Sequence, residues 1–199
     1  MIRRALLLML PFLSLTISAC TPVGAIVGMG AAVGVAAVQE RSMPDAAIDA
    51  EIRIKVNDLW FRHNVDMFRK LNLSINEGRV LVTGVVPDPD WRVDAVRLVW
   101  QVNEVKEVIN EIEVDDPNIE AFARDTWILA QLRGKMTFTE DIYSVNYNLE
   151  VVRGVVYLIG VARLQEELDM VIELARNIDG VKRVVSYVRV KPPEESPAK

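Results

Sequence analysis

The sequence predicts an α+β protein built from two tandem αββαβ units, each a two-layer sandwich of helices on a small sheet. Three observations carry this. The chain matches itself without a gap when shifted by 76 positions, the mark of a duplicated unit. Within each copy, two stretches place apolar residues at helical spacing and three alternate apolar with polar. A glycine falls at the same point of each copy, between the first two alternating runs, where a tight hairpin needs positive φ.

Taken in chain order, the first element is a leader. Met1-Ile2-Arg3-Arg4 is a basic start, Ala5 to Leu15 an apolar run, and the small residues Ser18 and Ala19 precede Cys20, the one cysteine of the chain. These are the parts of a secretory signal, predicted over 1–19. The run is too short to span a bilayer, which takes about 20 apolar residues. Small residues directly before a cysteine resemble the bacterial lipobox. That resemblance implies that Cys20 becomes the first mature residue and carries lipid on its sulfur and new amino group. Several acyl chains, at about 0.8 kcal/mol per buried CH₂, make a stable anchor.

Residues 20–42 read as the lipidated cysteine and an apolar tether. Val23 to Val38 is rich in Gly and Ala, with Gly24/Gly28 and Gly30/Gly34 at the small-xxx-small spacing of closely packed membrane helices. The segment either lies on or dips into the bilayer or is a flexible tether. Its glycines imitate a dinucleotide fingerprint, but the strand, helix and distal acid of a βαβ unit are missing.

The repeat occupies 43–115 and 117–192. Asp49-x-x-Ile52-x-x-x-Val56 falls on Asp125-x-x-Ile128-x-x-x-Leu132 and opens each unit with a helix. Pro44 and Pro117 suit early helical positions, with Asp116 a candidate N-cap. Two strands follow. Leu71 to Ile75 and Val80 to Val82 flank Asn76-Glu77-Gly78, and Tyr147 to Val151 and Val156 to Leu158 flank Val152-Arg153-Gly154. Gly84 and Gly160 end the second strands. Ala95, Val96, Val99 and Val102 match Val171, Ile172, Ala175 and Ile178 as the apolar side of a second helix, which Asp179-Gly180 stops in the second copy. Val108 to Val114 and Val184 to Val190 close the units. One sheet face then buries both helix stripes. The Pro-rich charged end, 193–199, is predicted to be disordered.

The Asp-x-x-Ile opening, the Gly-x-Val-x-Leu-x-Gly strand and Gly180-Val181-Lys182-Arg183-Val184 resemble the BON domain. The first copy departs at Glu104, where that pattern has glycine. A lipobox followed by tandem BON units resembles the dual-BON outer-membrane lipoprotein family. The family implies a lipid-anchored protein on the periplasmic face of the outer membrane, whose second BON domain binds anionic phospholipid through its first helix. Thr21, rather than Asp, after the cysteine fits delivery to the outer membrane by analogy with lipoprotein sorting.

Composition narrows the alternatives. A net charge of -5 opposes nucleic-acid binding, which favours a basic field. The single thiol is assigned to lipid, so stability rests on packed cores rather than disulfides. One histidine, His63, leaves little for a metal site or general base, and it reads as a surface or capping residue. Asp88 and Asp90 sit among prolines as turn and N-cap residues. Asp49 and Asp125 read as structural, favoured by the helix dipole. No catalytic residue, metal or cofactor is expected.

The repeat itself points to a surface. Glu51, Ile54, Asn57 and Asp58 of the first opening helix become Trp127, Ala130, Arg133 and Gly134 in the second. Lys135, Met136 and Phe138 continue that stretch. A tryptophan beside cations suits a bilayer interface, so these seven residues are the candidate phospholipid contact, with Trp60, aligned with Met136, a candidate for a related part in the first copy. Packing of Trp127 against the other domain, or on its own core, is the alternative. Membrane phospholipid, with anionic headgroups favoured, is thus the expected partner. An envelope protein-interaction scaffold, using exposed sheet edges, is the second reading.

Overall fold

The structure, a computed structural model, describes residues 42–192. The signal, Cys20, the Val23–Val38 segment and the tail lie outside the described residues.

Domain one opens with α1 (Met43–His63), with Pro44 in its first turn and the Ser42 hydroxyl accepting from the Asp45 N–H. A short helix, α2 (Val65–Lys70), follows; it is absent from the sequence expectation and is started by the Asn64 side chain, which accepts from Asp66 and Met67. Then come β1 (Leu71–Asn76), β2 (Arg79–Val86), α3 (Pro89–Val99) and β3 (Glu107–Val114). Asp88 caps α3, as expected, by accepting from the Asp90 N–H. Domain two repeats the order with α4 (Ile119–Phe138), a 3-10 turn (Ser144–Asn146), β4 (Tyr147–Val152), β5 (Val155–Ala162), α5 (Gln165–Arg176) and β6 (Arg183–Val190).

Two helix boundaries differ from expectation. The cap of α4 is Asn118, which accepts from the Ala121 N–H, so Pro117 precedes the helix and Asp116 does not cap it. α5 ends at Arg176, before Asp179-Gly180; Asn177 finishes it and its amide bonds back to Glu173.

Each sheet has its second strand in the centre, in the order β1-β2-β3 and β4-β5-β6. The hairpin pairs are antiparallel, and the strands joined through a helix are parallel. Both hairpins turn through two residues of positive φ, Glu77-Gly78 and Arg153-Gly154. Glycine accepts this readily, whereas Glu77 and Arg153 are held there by neighbours. Asp49 accepts from the N–H groups of Glu77 (2.9 Å) and Gly78 (2.8 Å), and Asp125 from those of Arg153 (2.6 Å) and Gly154 (2.7 Å). The repeated aspartates are therefore structural, as expected, but they act on the turns and lie well inside their helices.

One face of each sheet buries the helices. Val80, Val82 and Val86 of β2 join Ile52, Val56 and Trp60 of α1, and Val156, Leu158 and Ala162 of β5 join Ile128, Leu132 and Met136 of α4. The opposite faces meet each other. Leu81 and Ile109 of domain one pack with Val152, Val155, Tyr157 and Ile159 of domain two in a third core. β5 is consequently buried along its whole length.

This contact is nearly two-fold. Ser74 donates to Glu150 at 2.7 Å and Tyr187 donates to Glu111, and both pairs join positions 76 residues apart. Each links a position to its own repeat equivalent. The ion pairs obey the same symmetry. Arg189 meets Glu77, and Arg153 meets Glu113 at 3.6 Å. Domain one supplies the acids and domain two the bases.

Candidate functional site

The face that distinguishes the two opening helices is the outer side of α4, opposite Ile128, Leu132 and Met136. Residues 123, 127, 130, 134 and 138 recur there at helical spacing. They are Ala, Trp, Ala, Gly and Phe. Trp127 is 48% exposed and Phe138 89% exposed. Ala130, Arg133 and Lys135 are exposed, and Gly134 is half-buried. Arg133 and Lys135 lie on opposite flanks of the apolar strip, by the 100° advance per residue of a helix.

The equivalent face of α1 is built differently. Glu51 pairs with Lys55 at 2.8 Å, and Asp58 with Arg62 at 2.8 Å, both one turn apart. Such pairs keep a helix face in water. In α4 these four positions are Trp127, Gln131, Gly134 and Phe138. Both ion pairs have gone. Comparison of the copies showed the loss of the acids; the loss of their basic partners one turn on was equally legible and completes the pattern.

One member of the candidate set is corrected. Met136 is 1% exposed and belongs to the domain-two core, because it follows Ile128 and Leu132 on the inward side of the helix. Trp60 is likewise corrected as a surface residue. It is 1% exposed, and its indole N–H donates to the Ala95 carbonyl at 3.1 Å, tying α1 to α3. Trp127, Ala130, Arg133, Gly134, Lys135 and Phe138 share one side and its flanks. His63 lies beside Asp94 at 2.9 Å, on the surface of domain one. The side chains of Arg97 and His63 hold the Asp94 carboxyl below the usual range.

Among the described residues, no helix is long and apolar enough to cross a membrane. The exposed apolar strip of α4 is interrupted by no ion pair, but it occupies one side of the helix only.

The fold defines a class: a duplicated αββαβ module whose two copies stack sheet against sheet. The BON domain family matches residues 44–116 and 124–192, and the chain belongs to that family. Its relatives include "Uncharacterized protein in gshII 5'region" of Anaplasma centrale, 46% identical over 145 residues, covering 72% of this chain and 95% of that protein. It is also similar to the outer membrane lipoprotein DolP of Haemophilus influenzae, 28% identical over 170 residues, covering 84% of this chain and 87% of the relative. The osmotically-inducible protein Y of Escherichia coli is 26% identical over 154 residues, covering 75% of this chain and 74% of that one.

Proposed function

We propose that the protein is a non-catalytic BON protein of the bacterial envelope, held at the periplasmic face of the outer membrane by lipid on Cys20. The second domain touches phospholipid headgroups with the outer face of α4, and the protein supports outer-membrane integrity, including under stress. The observation that carries this reading is the replacement of two i,i+4 ion pairs on α1 by Trp127, Gln131, Gly134 and Phe138 on α4. A helix face that meets only water is stabilised by such pairs. An indole and a phenyl ring flanked by Arg133 and Lys135 instead suit the headgroup region, where aromatic rings rest and cations meet phosphate. The similarity to an outer membrane lipoprotein and to an osmotically-inducible protein supports the location and the stress setting.

The mechanism is two-point attachment. The anchor confines the domain near the leaflet, so a weak contact through α4 acts at high effective concentration. Flotation of the mature chain from residue 20, with Cys20→Ser to prevent lipidation, tests the contact. Vesicles containing phosphatidylglycerol should carry more protein than phosphatidylcholine vesicles, and Trp127→Ala/Phe138→Ala should lose at least half of that excess. Equal flotation on both vesicles, or no loss in the double variant, would favour the second reading, a scaffold for envelope proteins. Mass spectrometry of the mature N-terminus tests the anchor separately.

A further inference from the structure

Past Arg133, which stands at the edge of the outer face, α4 borders a cleft between the two domains. At its polar end, a cavity of about 490 Å³ brings Arg53 of α1 and Arg133 of α4 together over Ser74, Asn148 and Glu150. At its apolar end, a groove of about 470 Å³ runs between Phe122 and Leu129 of α4, Val85 of β2 and Val151 of β4. Glu150 lines both ends, so they adjoin. Both volumes lie in the range of small-molecule sites, about 300–1,000 Å³.

The two ends differ in chemistry. Ile119 and Phe122 at the apolar end are 86% and 72% exposed, a large uncovered surface beside a groove that already has apolar walls. Arg69 and Lys70 stand at its rim. At the polar end the two guanidinium groups outnumber the single carboxyl of Glu150, leaving an excess of positive charge with that group ionised. A phosphodiester carries the single negative charge that balances it, and guanidinium groups match phosphate geometry. Arg53 also donates to the Leu73 carbonyl at 2.6 Å, which braces its side chain against β1. Glu150 accepts from Ser74 at 2.7 Å. Burial raises the Glu150 carboxyl above its ordinary value, while the Ser74 hydroxyl and the charges of Arg133 and Arg53 oppose that shift.

We propose that this cleft holds one anionic phospholipid molecule, its phosphate between Arg53 and Arg133 and one hydrocarbon chain along Phe122 and Leu129. The inference rests on the reading that the protein meets phospholipid, and it adds to the outer-face contact a separate site between the domains for a single lipid molecule. Domain one thereby contributes to recognition, through Arg53.

Titration of the mature Cys20→Ser chain with dihexanoyl phosphatidylglycerol, below its micelle concentration, tests this by amide NMR. Shifts should appear at Ser74, Asn148, Phe122 and Leu129. Arg53→Gln/Arg133→Gln should weaken binding at least tenfold, and Arg53→Lys/Arg133→Lys should recover part of it. Glu150→Gln should tighten binding severalfold near neutral pH, a gain that misfolding does not produce. Dihexanoyl phosphatidylcholine should bind more weakly, as should glycerophosphoglycerol, which has the headgroup without chains. Shifts confined to the outer face, wild-type affinity in the double glutamine variant, or equal binding of the chain-free diester would overturn the proposal. Flotation with vesicles but no cleft shifts removes the cleft and leaves the outer face standing. Cleft shifts without flotation remove the outer face and leave the cleft.

Discussion

Asp49 and Asp125 show how one side chain can hold a turn from a distance. Each sits on an opening helix yet satisfies two N–H groups of a hairpin 28 and 29 residues away. Asp125→Ala leaves both donors unmet, one of them buried, and should cost about 1.5–3 kcal/mol, the range for hydrogen bonds to charged groups, read by urea denaturation. Gly160 is constrained for another reason. A Cβ there would stand 2.0 Å from the Asn146 carbonyl oxygen, with φ at +155°. Gly160→Ala must push β5 away from the segment entering β4, so it should destabilise domain two more than the same change at Gly134, where a Cβ meets nothing within 4 Å. Glu150 sets a pH dependence. Its folded-state value lies above the ordinary 4.5, so the folded protein binds this proton more tightly than the unfolded chain. Its contribution therefore favours folding at low pH and declines as pH rises through 4.5 toward the folded value. Glu150→Gln should remove that decline in denaturation midpoints measured across the interval. Asp94, lowered by Arg97 and His63, Glu104, lowered by its own backbone N–H and Lys55, and Asp115, lowered by the Asp116 N–H and Arg153, act with the opposite sign.

Among the elements, the hairpins and opening helices were the most legible. Their repeat spacing, their alternation and the turn glycines all agreed. α2 was not legible, because six residues that include Met67 and Phe68 carry too few turns for a period to show. The end of α5 differs from the expectation because Gly180, a plausible stop, lies four residues beyond Arg176, the last helical residue, in a separate turn of positive φ. The charges between domains are readable only with the contact known. Glu77 and Arg153 are repeat equivalents, as are Glu113 and Arg189. The acids of one copy thus face the bases of the other, and a pairing of like copies would oppose like charges. Glu113→Arg should weaken the domain contact, and Glu113→Arg/Arg153→Glu should restore only part of the loss, because Arg153 also pairs with Asp115 and donates to the Asp116 carbonyl. The effect should stay within about 1 kcal/mol, as for partly exposed ion pairs. A double-mutant cycle in denaturant measures it.

At the scale of the whole molecule, the sheet-to-sheet core decides how the two domains behave. Tyr157 and Ile159 are 1% and 0% exposed at this contact, so the domains share buried apolar surface and should unfold together. Ile159→Ala removes packing between the domains and should cost about 2–5 kcal/mol. It should also split one calorimetric transition into two if the coupling is lost. The contact also forms the cleft flanked by Arg53 and Arg133, since neither domain contains both residues. The α4 strip, by contrast, needs no second domain and faces outward from its own core.

The duplicated αββαβ order, the buried helix stripes, the turns and the changed character of α4 were all contained in the sequence, because periodicity and internal comparison report local geometry and which side of an element meets water. Met136 and Trp60 were misplaced because a few residues decide the exact angle of a helix face, and alignment alone does not measure it. The continuous apolar run of β5, Val155 to Ala162, was the sign of a strand covered on both sides, yet it does not say by what. Only the tertiary structure set the two sheets against each other, because that choice depends on long-range shape and charge complementarity rather than on any local pattern.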